Sequence, residues 1–354
     1  MPAAPPLAGL LAGRGPAAGE WLHAGRVGAG LLVPGLALLL AGRPDLMIYA
    51  VLGSFAGMYG RAESRPLRLR HQVQAGLVLL IGVATGVFLA AYHARPWVLV
   101  VVEAGFACVA ALVTNRLGLS PRGPFFGIFA LGATAVVPVD RVAPWVALSI
   151  CVATIVFCVL IGFAGAPRPH TEDPLSGSGS ACGRAACGPG WRLSCVAIHS
   201  ARYALAISAA GSCGLLLGVE HANWAMASAA VPLAAADVRN RLHPGIRSVI
   251  DRSIHRMLGT LAGLGVSALL LLPRLGETLL ALFVIALLFP TELFMVRHYG
   301  LALGFFTPLI MVMTELAAPA EPMTLLTDRV VDTLIGVCTG VLAAVVVRGL
   351  CRDD

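Results

Sequence analysis

The sequence contains no lysine; all 25 of its Lys+Arg residues are arginine. That absence excludes a phosphate-cradling P-loop, which ends in Gly-Lys-Ser/Thr, and any Schiff-base lysine chemistry. Whatever such a chain moves, it must draw on an ion gradient or on another protein's nucleotide hydrolysis. Charge of either sign is scarce, 12% of 354 residues, against about 25% in an average soluble domain. Aromatic residues make up only 6%. A soluble fold of this length needs a larger polar surface, whereas 58% hydrophobic residues in long runs suit a polytopic helical membrane protein. HExxH, GxSxG, an acidic metal-binding pair and a Cys/His cluster are all missing, so the expectation is a non-enzyme with no metal, no cofactor and no nucleic-acid partner. The nine cysteines are scattered. Cys108, Cys151, Cys158, Cys213 and Cys338 lie in apolar runs and read as small hydrophobes, and Cys182 and Cys187 sit in a Gly/Ser-rich stretch without zinc-ligand spacing. Met1–Gly19 lacks the charged start and compact apolar core of a signal peptide, so residues 1–20 read as a flexible N-terminal segment.

Apolar segments fall near 22–41, 45–60, 73–92, 96–114, 124–139, 142–164, 196–219, 222–237, 254–272, 276–292, 298–316 and 325–348. Those at 45–60 and 222–237 are short enough to be broken or tilted. Twelve spans with both termini on one side place twenty arginines on or just inside that side. Only Arg43, Arg95, Arg141, Arg274 and Arg329 are left for the other. The positive-inside rule then makes the arginine-rich side cytoplasmic, in a multi-pass protein of the cell membrane with both termini inside. Trp21, Trp97, Trp145, Trp191 and Trp224 all fall at expected span ends, where an interfacial belt places them.

The stretch at 165–191, rich in Pro, Gly and Ser, reads as a cytoplasmic linker. It divides the chain into a membrane half at 21–164 and another at 192–350. The halves share an ordered set of features: His23-x-x-Arg26 and His199-x-x-Arg202, an arginine-rich loop after the second span of each, then Gly82/Gly86 and Gly259/Gly263, then Asp-Arg-Val at 140–142 and 328–330. Six spans per half make this an expected parallel repeat, with a pseudo-two-fold axis along the membrane normal.

The arginine-rich loop before "RMLGTLAGLGVSALLL", and a last span opening "DRVVDTLIGVCTGVLAAVVV", resemble the fusaric-acid-resistance-type (FUSC) integral membrane transporters, which include aromatic acid exporters. The resemblance covers residues 196–348 best and reaches the first half through the repeat. It implies an exporter of small organic, often aromatic, anions. Plant malate channels have a related membrane domain, so the resemblance also admits a passive anion channel. A non-transporting scaffold is the third reading. Expected partners are the lipid bilayer and a small organic anion, with a homodimer also open.

Arg252, Arg256, Gly259, Gly263 and Ser267 follow at steps of four, three, four and four and share one helical face. The glycines suit close helix packing, and Gly336 and Gly340 repeat their spacing in the last span. The two arginines either snorkel to headgroups or line a vestibule that concentrates carboxylates, which a planar guanidinium binds bidentately. Arg26 and Arg202, at equivalent places in the two halves, read as anchors or as paired cations beside an anion path. Glu103 lies in the uninterrupted apolar run "VLVVVEAGFACVAALV". A carboxylate there is costly unless paired, protonated or wet, which makes it a candidate proton carrier. Asp332 sits one turn into the last span and is either a counter-ion of Arg329 at i−3 or part of the pathway. Thr307, before Pro308, offers its hydroxyl to substrate or to its own helix.

Overall fold

In the computed structural model, residues 18–164 and 189–350 are described, apart from residues 62, 122, 220 and 240–245. The linker assigned to 165–191 lies almost wholly outside them. The described chain is all helical. Its α-helices are α1 (Ala18–Leu40), α2 (Met47–Ser54), α3 (Arg65–Ala91), α4 (Pro96–Leu117), α5 (Phe125–Ala135), α6 (Pro144–Ala164), α7 (Pro189–Leu216), α8 (Ala222–Arg239), α9 (Ile246–Leu271), α10 (Glu277–Phe294), α11 (Tyr299–Ala317) and α12 (Pro322–Leu350). Each apolar run in the sequence falls on one of them. Among the described residues eight helices are long and apolar enough to cross a membrane, and α2 and α5 are apolar but short. A 3₁₀ turn at Phe55–Met58 prolongs α2. Proline opens several helices, where its missing N–H costs nothing. Gly118, at φ +67°, ends α4 in the left-handed conformation that only glycine adopts cheaply.

Each long helix shows two faces. On α3, Val73, Leu77, Ile81 and Phe88 point outward, while Ala75, Leu79, Gly82, Val83 and Gly86 are buried. An exposed stripe this apolar is stable against lipid and not against water.

Packing within the first six helices is mirrored within the last six. The α1–α2, α1–α6, α2–α6, α3–α5, α3–α6 and α4–α5 contacts recur as α7–α8, α7–α12, α8–α12, α9–α11, α9–α12 and α10–α11. Contacts between the halves are reciprocal as well: α1 packs on α10 as α7 packs on α4, and α2 touches α11 as α8 touches α5. The correspondence reaches single residues. Gly35 of α1 receives the Ile285 side chain from α10 and the Met47 sulfur from α2, and Gly211 of α7 receives Val100 from α4 and the Met226 sulfur from α8.

The glycines set helix spacing. Gly82 abuts the Gly127 carbonyl, and Gly86 meets the Leu131 carbonyl and Thr134, so α3 and α5 run parallel. Gly259 abuts the Gly300 carbonyl, and Gly263 meets the Leu303 carbonyl and Thr307, so α9 and α11 do the same. Gly336 and Gly340 rest on the Ala225 and Ala229 carbonyls, which makes α8 parallel to α12. At each site a Cβ would collide with the facing helix, with its backbone everywhere except Gly263, where it meets the Thr307 Cβ.

Two expectations are corrected. Trp21, Trp97 and Trp145 are exposed at helix ends, as an interfacial belt requires, but Trp224 is 1% exposed and sits in the core. Its indole carries the Arg329 guanidinium 4.9 Å from the ring centroid. Arg329 is therefore buried too, seven residues inside α12, instead of sitting at the surface.

Candidate functional site

A cavity of about 150 Å³ lies where the two halves meet. Its wall takes Met58 and Arg61 from the turn after α2, and Ser120, Pro121 and Gly123 from the α4–α5 turn. Phe125 and Phe126 come from α5, Val231 and Ala234 from α8, and Arg256 from α9. Glu292, Tyr299, Leu303 and Phe306 of α10 and α11 close it. Phe55 and Phe129 stand behind the phenylalanines of the wall. Phe55 packs 5.0 Å from Phe126 and 5.9 Å from Phe306, and Phe129 packs 6.3 Å from Phe306, centroid to centroid. Tilted and edge-on contacts at these spacings are the favourable ones for aromatic quadrupoles.

The charges of the cavity divide into a satisfied group and an unsatisfied one. Glu292 accepts from Arg61 Nη2 at 2.6 Å and lies 3.0 Å from His23 Nε2. Arg61 also donates to the Glu292 carbonyl at 2.7 Å. These bonds tie α1, the α2–α3 turn and the end of α10 together. Arg256 is 1% exposed. It donates through Nη2 to Ser228 Oγ at 3.0 Å, lies 5.6 Å from the centroid of the Phe125 ring, and forms no ion pair with a described carboxylate. Its Nε has no hydrogen-bond partner among the described residues. A buried guanidinium beside aromatic rings with spare N–H donors is a ready receptor for an anion.

Behind Arg256 the polar groups continue between α8 and α12. Gly336 faces Ser228, and one turn back along α12 is Asp332, 0% exposed, with neither carboxylate oxygen hydrogen-bonded among the described residues. One turn further is Arg329, on Trp224, with Nε and Nη1 likewise without partners. The i−3 ion pair between Arg329 and Asp332 is not made within 4 Å. Beyond it, His221 Nδ1 lies 3.0 Å from Asp328 Oδ2, and the His221 ring stacks on Trp224.

Glu103 lies elsewhere, on the opposite side of α8. It is 0% exposed, with both oxygens lacking a hydrogen-bond partner among the described residues. A Cβ on Gly132 of α5 would lie 3.2 and 3.3 Å from those oxygens and 2.9 Å from Asn223 Cβ of α8. The Asn223 side-chain amide oxygen is also buried without a partner among the described residues. Glu103 and Asn223 thus meet across three helices, and Gly132 leaves them room.

Of the other residues singled out from the sequence, Thr307 packs on Gly263 and is not in the cavity wall. Arg26 and Arg202 are half-buried and also lie outside the wall. The Arg252 side chain lies outside the described residues. Sequence reasoning missed the phenylalanine cluster and Arg61. The doublets Phe125-Phe126 and Phe305-Phe306, in a chain poor in aromatics, were the available signal.

Residues 205–343 match the fusaric acid resistance protein-like family. The match runs from α7 to α12 and includes Ser228, Arg256, Glu292, Phe306, Arg329 and Asp332, but not the first-half residues of the cavity. Comparisons with curated proteins and with solved structures give no match. With its eight long apolar helices, the chain is a multi-pass membrane protein with a fusaric acid resistance protein-like second half.

Proposed function

We propose that this is a secondary transporter of the cell membrane that exports small amphipathic, often aromatic, organic anions, with both termini cytoplasmic. The carrying observation is the cavity at the meeting of the halves, which sets the Arg256 guanidinium against phenylalanine rings. A cation with free donors suits a carboxylate, and the rings suit the apolar body attached to it. A cavity near 150 Å³ is about the size that holds one benzene ring. The family match over 205–343 supports the transporter class. The reciprocal helix contacts support twelve alternating spans arranged as two parallel six-helix repeats, an arrangement in which one half rocks against the other around a shared site. The packed rings behind the cavity favour a gated carrier over a standing pore. Glu103, buried among apolar residues of α4, is the proposed proton carrier.

The test is flux from reconstituted vesicles loaded with radiolabelled benzoate. The expected result is saturable, protein-dependent release that competing aromatic acids slow. Release that stays linear with concentration, accompanied by single-channel currents, assigns the chain to the anion channels. Absence of flux across a panel of aromatic and aliphatic acids assigns it to non-transporting scaffolds.

A further inference from the structure

We propose that the second half holds an anion-binding centre between Arg256 and Arg329 in which Asp332 opposes the anion when ionised, so that binding an anion to the ionised site takes up one proton on Asp332. The proposal rests on the transporter reading above only for the class of anion.

Three observations carry it. Along α12 the order is Arg329, Asp332, Gly336, each about one turn from the next, and Gly336 faces Ser228, the residue bonded to Arg256. Along α12, Asp332 thus sits between the level of Arg329 and the level at which Arg256 is bonded. Second, unsatisfied groups of complementary kind are concentrated here: three guanidinium nitrogens (Arg256 Nε, Arg329 Nε and Nη1) and both Asp332 oxygens. Buried polar atoms are nearly always hydrogen-bonded, and a cluster left without partners marks a place for a ligand. Third, the first half does not repeat the buried cluster. Matching α2 to α8, α3 to α9 and α6 to α12 puts Ile48 near the place of Trp224, Leu79 near that of Arg256 and Pro144 near that of Asp332, while Arg141, at the place of Arg329, is exposed. A centre needed only to pack the repeat would recur in both halves.

The groups around Asp332 define the electrostatics. On α12 they are Arg329 and Asp328, both of which act on it. From the turn just before α8 comes His221, already engaged by Asp328. From α9 comes Arg256, which acts on Arg329. The part of α7 running alongside, Ala206–Leu216, has no charged residue. With no hydrogen-bond donor among the described residues, Asp332 stays neutral in the empty site until the medium is alkaline; once it is ionised, the two arginines and one carboxylate leave a single net positive charge. An incoming carboxylate can take the arginine donors if an Asp332 oxygen accepts a proton from the medium and becomes a hydroxyl. No other bond changes, and the net charge is the same loaded as empty. That conservation is what a buried site requires, because uncompensated charge in a low dielectric is prohibitive.

The experiment measures proton uptake when benzoate binds to the purified full chain in detergent, by calorimetry in two buffers of different ionisation enthalpy. Benzoate is ionised above about pH 6, so uptake reports the protein. The expected result is about one proton taken up per benzoate bound at pH 9 and little uptake at pH 6, with affinity falling as pH rises. Asp332→Asn, a neutral stand-in for the protonated acid, is expected to bind at least tenfold tighter than wild type at pH 9, without uptake and without pH dependence. Asp332→Glu is expected to keep the uptake. Benzoate binding to wild type at pH 9 without proton uptake overturns the proposal, as does unchanged uptake in Asp332→Asn. Failure of folded wild type to bind benzoate overturns it too. Linked binding in a protein that moves no benzoate in vesicles would sink the transporter reading and leave this centre standing.

Discussion

Arg256 and Ser228 join α9 to α8 through a 3.0 Å hydrogen bond at the inner edge of the cavity. The bond fixes the guanidinium plane while Phe125 fixes its position, so the cation is held in place before any anion arrives. Pre-organisation of this kind saves the ordering cost that an exposed arginine would incur on binding.

Substitution at Arg256 follows from that geometry. Arg256→Gln removes the charge and is expected to raise the KM for benzoate flux about tenfold, equivalent to about 1.4 kcal/mol. Arg256→Lys keeps the charge but loses the fork and the ring contact, and falls between. The loss is expected to be the same at low and at high salt, because a side chain 1% exposed is poorly screened. A defect that vanishes at high salt would move the anion-attracting role to exposed arginines of the loops.

Glycine substitutions separate packing from open space. Gly259 touches the Gly300 carbonyl and Leu303, whereas Gly265 on the same helix has nothing within 4 Å of a Cβ. Gly259→Val is expected to lower the melting temperature in detergent, by an overpacking cost of about 1–3 kcal/mol. Gly265→Ala is expected to raise it slightly, since alanine favours a helix by about 1 kcal/mol over glycine. Equal melting temperatures for the two variants would contradict the α9–α11 contact.

The orientation is checked by cysteine labelling. Single cysteines at 61–71, in the 165–191 linker and at 239–252 are expected to react only with reagents that reach the cytoplasm. Cysteines replacing Arg95 or Arg274 should react from outside. External labelling at 61–71 would overturn the twelve-span order.

Helix positions were legible because each apolar run is bounded by proline, glycine or arginine, and that punctuation is local. The close approaches at Gly82, Gly86, Gly259 and Gly263 were visible as spacing, although the carbonyls they meet were not. Trp224 was misread because a tryptophan at the end of a run looks interfacial. Only the fold reveals that α12 brings Arg329 under it. The cavity escaped for a similar reason. Arg61, Phe125, Arg256, Glu292 and Phe306 come from five separate stretches, and no periodicity within one helix reports which faces of two halves will meet. The tie between His23 and Glu292 spans 269 residues, so neither residue signals the other in sequence.

Glu103 provides the test that separates a proton-driven carrier from a passive one. Its carboxyl is fully buried and lacks a hydrogen-bond partner among the described residues, and Gly132 stands beside both its oxygens and the Asn223 Cβ. An ionised carboxylate without donors is very costly in such a place, so the neutral acid is the form the site tolerates. Glutamine reproduces the size and polarity of that neutral acid but cannot release a proton. Glu103→Gln is therefore expected to melt within about 1 kcal/mol of wild type, inside the range of a volume-conserving swap. In vesicles with an imposed pH gradient, the same variant is expected to lose uphill accumulation of benzoate while downhill exchange survives. Gly132→Ala is expected to disturb Glu103 sterically, lowering both stability and gradient-driven transport. If Glu103→Gln accumulates benzoate as well as wild type does, the carboxyl is a structural link between α4, α5 and α8, and the coupling proton travels by another route.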